Sequence, residues 1–98
     1  MIYVDALRRR ENVAFASSFS CRMISDQDRD ELREFAALMG MPQHWLRYLV
    51  LPHFDLSPNW RRRAIALGAV DCSGNPALFQ AAVHRYCSAN PHIPERVE

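Results

Sequence analysis

The chain has 98 residues, 49% of them hydrophobic and 23% charged, with a formal net charge of +1. That size suits one hydrophobic core and excludes a large multidomain enzyme, and near-neutral charge argues against a protein that coats DNA, which needs a large basic excess. No run of eighteen apolar residues exists and no basic, apolar and cleavable leader follows Met1, so the expected location is the cytoplasm, away from membranes.

All twelve basic side chains are arginine. Lysine Schiff-base chemistry is therefore closed to this chain, whereas bidentate recognition of phosphate or carboxylate is open to it. Cys21, Cys72 and Cys87 are odd in number and lack a CxxC spacing, which predicts reduced thiols rather than a disulfide or zinc framework.

In chain order, Ile2, Tyr3 and Val4 predict a first strand with Asp5 at its carboxyl end. Residues 7–18, with Arg8, Arg9 and Arg10 in a row, lack periodicity and predict an irregular loop. Residues 19–24 alternate, with Phe19, Cys21 and Met23 on one face and Ser20 and Arg22 on the other, the pattern of a half-buried strand. Residues 25–40 predict a helix with Ser25 or Asp26 as its N-cap. Its apolar stripe is Leu32, Phe35, Ala36 and Met39, and Gly40 takes the left-handed C-cap. Residues 45–51 form an apolar run that predicts either a buried strand or a strand with an irregular tail, between which periodicity does not decide. Residues 52–56 place His53 and Asp55 on one side of an extended chain.

Ser57 and Pro58 open a second helix with Trp60, Ala64 and Leu67 facing inward, and residues 69–72 predict a short strand. Leu78, Phe79, Ala82, Val83 and Tyr86 give a last helix its inner face, and residues 90–98 read as a tail behind a single domain of residues 1–89. Strands alternating with helices predict a small, open, mostly parallel α/β sheet of three or four strands covered by about three helices.

Several side chains are candidates for chemistry. Asp5 lies where open α/β sheets bind ligands, or it caps a nearby loop or helix. His53 and Asp55 form an oriented imidazole–carboxylate pair, or Asp55 caps the helix that begins at Ser57. Arg61, Arg62 and Arg63 stand near a helix start where anions are favoured, or they fan out into solvent. Arg8, with Arg9 and Arg10, either closes over a ligand or partner or is solvated. Trp45, Tyr48, Trp60 and Tyr86 fit core or dimer contacts better than base-stacking platforms. There is no Walker loop, GxGxxG, HExxH or GxSxG motif, and no arrangement that marks a catalytic nucleophile.

The series Ile2-Tyr3-Val4-Asp5, Cys21-Arg22-Met23-Ile24-Ser25-Asp26, Trp45, His53-Phe54-Asp55, the stretch 61–66 and Gly68-Ala69-Val70 resembles the family catalogued as domain of unknown function 4031. The resemblance covers roughly residues 2–86. It implies a small cytoplasmic α/β protein of the kind often encoded by phages and prophages, acting in the bacterial host cell, and it carries no activity with it. Relatives often have a second acidic residue where this chain has Ala6, and a histidine where it has Arg22. A site of two acids and two histidines suits a metal or acid–base chemistry. Here it is reduced to Asp5, His53 and Asp55 with Arg22 added, and a permanent cation favours an anion and opposes a divalent metal.

The expectation is therefore a non-catalytic accessory protein that needs no cofactor. It binds a small anionic ligand, such as a nucleotide or cyclic nucleotide immune signal, through Asp5, Arg8, Arg22, His53, Asp55, Arg61 and Arg62, and so antagonises host defence. The alternatives are an inhibitor of a host defence nuclease or CRISPR component, and a metal-dependent hydrolase or nuclease. A homodimer is expected for so short a chain.

Overall fold

The computed structural model describes residues 1–9, 19–48 and 50–91. The elements run β1 (Ile2–Val4), β2 (Arg8–Arg9), β3 (Phe19–Ser25), α1 (Arg29–Met39), a 3-10 turn (Gln43–Trp45), β4 (Arg47–Tyr48), β5 (Pro52–Leu56), α2 (Pro58–Ala66), β6 (Val70–Asp71) and α3 (Pro76–Ala89). The expected tail beyond residue 91, Arg10 and the rest of the loop to residue 18, and Leu49 lie outside the described residues.

The fold is α/β, as expected, but among the described residues its sheet has six strands and is mostly antiparallel rather than mostly parallel. The order is β4-β5-β3-β1-β6, with β2 also pairing with β3. Strand β3 runs antiparallel to β1, β2 and β5, and β4 runs antiparallel to β5, whereas β1 and β6 run parallel. The expectation failed because it assigned each helix to a parallel crossover. No helix lies between β1 and β3 among the described residues, and the chain returns beside itself. Helix α1 instead delivers β5 to the other edge of β3 in the antiparallel sense.

The sheet is covered on both sides. Ile2, Val4, Cys21, Met23, Phe54 and Leu56 pack with Leu32, Ala36 and Met39 of α1 and Ala64 of α2. Tyr3, Ile24, Leu51 and Cys72 pack with Phe79, Ala82 and Tyr86 of α3. Double coverage explains why Ser20, placed on the polar face by its alternation, is 1% exposed.

Helix α1 starts later than its sequence suggests. Asp28 is the N-cap, accepting from the Glu31 amide at 2.8 Å, while Ser25 Oγ accepts from the amides of Gln27 and Asp28 in the turn before it. Gly40 closes the helix at φ 86°, as its position predicted. The apolar run 45–51 is not a buried strand. Trp45 ends the 3-10 turn, Tyr48 sits in a two-residue edge strand, and Trp45, Tyr48 and Val50 are exposed. Leu67, expected inside, is 49% exposed just past the end of α2.

Candidate functional site

The register places a charged strip on the α3 side of the sheet. Val4 pairs with Met23 and Arg8 pairs with Ser20, so four steps along the first strand pair match three along β3. The extra residue makes a bulge at residues 5–7, a device that re-aims side chains and leaves backbone groups unpaired. Asp5 fills the gap. Its amide donates to the Arg22 carbonyl at 3.2 Å, and its Oδ1 accepts the Arg22 amide at 2.7 Å. The Asp5 carbonyl is thereby released to accept from Arg61 Nε at 3.0 Å. Thus Asp5 bridges a break between two strands rather than capping a loop or helix, and its carboxylate becomes the floor of the strip.

Two guanidiniums stand over that floor. Arg8 and Arg22 approach Asp5 Oδ2 at 3.7 and 3.6 Å. Arg22 is the register partner of Asp55 on β5, and Asp55 Oδ2 lies 3.7 Å from Arg47 Nε on β4. Across the strands the charges therefore alternate Arg47, Asp55, Arg22, Asp5, Arg8. The carboxylate side chains are mostly buried, at 8% and 17% exposure, whereas the three arginine side chains are 40% exposed or more. The ion-pair separations exceed hydrogen-bond length, and among the described residues none of the three guanidiniums donates a hydrogen bond. Their exposure leaves these N–H groups open to a ligand. Three guanidiniums against two carboxylates leave one positive charge in excess.

His53 belongs to the same strip. Its side chain is 5% exposed, with Nε2 at 3.6 Å from Asp55 Oδ1 and Nδ1 at 3.2 Å from the Leu51 carbonyl oxygen. Asp55 does not cap α2; the N-cap is Ser57, which makes no side-chain bond of its own. Phe79, one turn into α3, lies 5.8 Å below the Arg22 guanidinium.

Of the remaining candidates, Arg61 is held rather than free. Besides the Asp5 carbonyl it donates to Asp71 Oδ1 at 2.7 Å, tying the ends of β1 and β6 to α2. The Ser73 amide, with Arg61 beside it, holds the Asp71 carboxyl below the usual range. Arg62 turns away and donates to Asn59, so it does not join the strip. Arg63 lies over Trp60 and donates to the Met39 carbonyl at 2.9 Å, and Trp60 meets Trp45 edge to face. Arg47 is the member that sequence reasoning missed. Its signal is its register position opposite His53, which appears only once β4 is known to pair with β5.

Among the described residues, no three His, Cys, Asp or Glu side chains form a metal-binding group, and no helix is long and apolar enough to cross a membrane. Cys21 lies on the opposite face, 2% exposed. Burial, reinforced by the charge of Asp5, pushes its thiol up to about 12. Because the thiolate is the nucleophile, native protein at pH 8 is expected to label with iodoacetamide at half-buried Cys87 well before Cys21 or Cys72. Peptide mass mapping reads the order, and early modification of Cys21 would contradict it. The same shift sets a sign for stability. The buried thiol stays neutral while the unfolded one ionises near its ordinary value, so stability falls as pH rises from about 9 toward 12.

Residues 2–83 match the model of the family described as protein of unknown function, DUF4031, and the chain belongs to that family. No curated protein and no solved structure matches it.

Proposed function

Starting from membership in a family whose description assigns no activity, we propose that this chain is a non-catalytic binder of a small anionic ligand of the nucleotide or cyclic nucleotide class. One observation carries the reading. Arg8, Arg22 and Arg47 come from three strands, stand beside two sunken carboxylates at 3.6–3.7 Å, and donate no hydrogen bond from their guanidiniums among the described residues. Guanidiniums in that state suit phosphate oxygens, which accept paired N–H groups. The carboxylates behind them position the arginines and offer acceptors to sugar hydroxyls or base amines. Phe79 beneath Arg22 brings the start of α3 close, and its dipole also favours an anion.

In a phage-type accessory protein such a site sequesters a host immune signal, a task that requires affinity and abundance but no turnover. Native mass spectrometry of the protein purified from signal-producing cells tests this. A stoichiometric nucleotide released unchanged on denaturation is expected, and the same spectra read the oligomeric state, expected to be a homodimer. A processed nucleotide would instead favour a hydrolase. A co-purified host protein on an empty strip would favour a protein-directed inhibitor.

A further inference from the structure

His53 and Asp55 turn two acceptors toward each other. The Leu51 carbonyl oxygen, 3.2 Å from His53 Nδ1, can only accept, so Nδ1 carries hydrogen. In a neutral imidazole the other nitrogen is then a bare acceptor. That nitrogen, Nε2, lies 3.6 Å from Asp55 Oδ1, a buried oxygen with no hydrogen-bond partner among the described residues. A carboxylate oxygen also only accepts. Desolvating two acceptors against each other is costly and uncompensated. One proton on Nε2 removes the conflict: the imidazolium still donates from Nδ1 to Leu51, and its Nε2–H faces the orphaned Asp55 oxygen at 3.6 Å as a charge-paired donor a few tenths of an ångström from hydrogen-bond length.

The surrounding charges couple that proton to the strip. On β4, Arg47 is the register partner of His53 and lies 3.7 Å from Asp55 Oδ2. On β3, Arg22 is the register partner of Asp55, with Asp5 on its far side. From α3, Phe79 and Tyr86 join Leu51 in one core cluster, and burial pushes the Tyr86 phenol up, so it stays neutral. Asp55 attracts the proton, and Arg22 and Arg47 oppose it. An anion resting on those two guanidiniums offsets their charge, so anion and proton stabilise each other, reciprocally as linkage requires.

We propose that the His53–Asp55 pair takes up one proton as the strip binds its anion, an inference that rests on the anion-binding reading above. Uptake raises the local excess from one positive charge to two. Sulfate is the probe, because its own charge is constant between pH 5.5 and 8.0. Calorimetric titration of the full chain is expected to show affinity roughly three- to tenfold higher at pH 5.5, the effect of one added charge a few ångströms away in a partly screened site. Calorimetry in two buffers of different ionisation enthalpy is expected to register proton uptake. Nitrogen-15 spectra of the sulfate-saturated protein at pH 5.5 are expected to show His53 protonated on both nitrogens. In His53→Gln the affinity ratio is expected to fall toward one. Should that variant not fold, Asp55→Asn, which keeps the side-chain shape and removes the charge, is expected to flatten the ratio in the same way. A His53 ring that stays neutral under those conditions, or an affinity ratio that survives in these variants, overturns the coupling and leaves the anion reading standing. Absence of sulfate binding at both pH values overturns both.

Discussion

Replacing Phe54 by alanine is expected to destabilise the protein by about 3–5 kcal/mol, the range for removing a buried aromatic ring. Phe54 is 0% exposed, sits at the middle of β5 opposite Met23, and belongs to the cluster that joins the sheet to α1 and α2. The loss combines the transfer of the ring with the cavity left between the sheet and two helices that cannot collapse freely. Domains of this kind have roughly 5–15 kcal/mol in total, so the variant is expected to be partly unfolded at 37 °C. Urea unfolding followed by circular dichroism measures the change. Leu38→Ala on α1, at a side chain 75% exposed, is the comparison and is expected within about 0.5 kcal/mol of the parent. Equal losses in the two variants would contradict the placement of the core.

Asp5→Ala is expected to cost about 2–3 kcal/mol, nearly as much, for a different reason. The substitution leaves the Arg22 amide without the acceptor it has at 2.7 Å and leaves Arg8 and Arg22 facing each other without their shared counter-ion. An orphaned buried amide accounts for about 1–3 kcal/mol of this, and the exposed ion pairs add little. Asp5→Asn separates the two contributions, since its carbonyl oxygen still accepts from the Arg22 amide. It is expected to retain most of the stability, with a loss of about 1 kcal/mol or less. Similar melting points for the alanine and asparagine variants would show that the bulge is not held by this hydrogen bond.

The helices were legible because periodicity is local. Leu32, Ala36 and Met39 announced the buried stripe of α1, Gly40 its end, and Ser57-Pro58 the start of α2. Strand pairing was not legible, since Phe19–Ser25 reads the same whether its neighbours run parallel or antiparallel. Two-residue strands such as Arg8–Arg9 and Arg47–Tyr48 are too short to show alternation, so in sequence β2 looks like loop and β4 merges into an apolar run. The site shared this limit. Asp5, His53 and Asp55 stand out as residue types at strand positions, and Arg22 through the family resemblance, as a departure from its pattern. Their meeting on one face depends on the register of β3 with β1 and β5, to which each strand contributes only half the information. Arg61 and Arg62 looked equivalent in sequence, yet one side chain ties strand ends to α2 and the other reaches Asn59.

Equilibrium titration with a panel of cyclic mono- and dinucleotides at low salt, comparing the parent with Arg22→Glu and with Arg62→Glu, tests the anion strip most directly. Circular dichroism confirms that each variant is folded. Arg22 stands at the centre of the strip and Arg62 outside it. At least one nucleotide is expected to bind the parent with an affinity that falls as salt rises, to lose roughly tenfold or more in Arg22→Glu, and to be unaffected within about twofold by Arg62→Glu. Binding that survives Arg22→Glu in a folded protein, or that Arg62→Glu abolishes instead, would contradict an anion site on this face of the sheet.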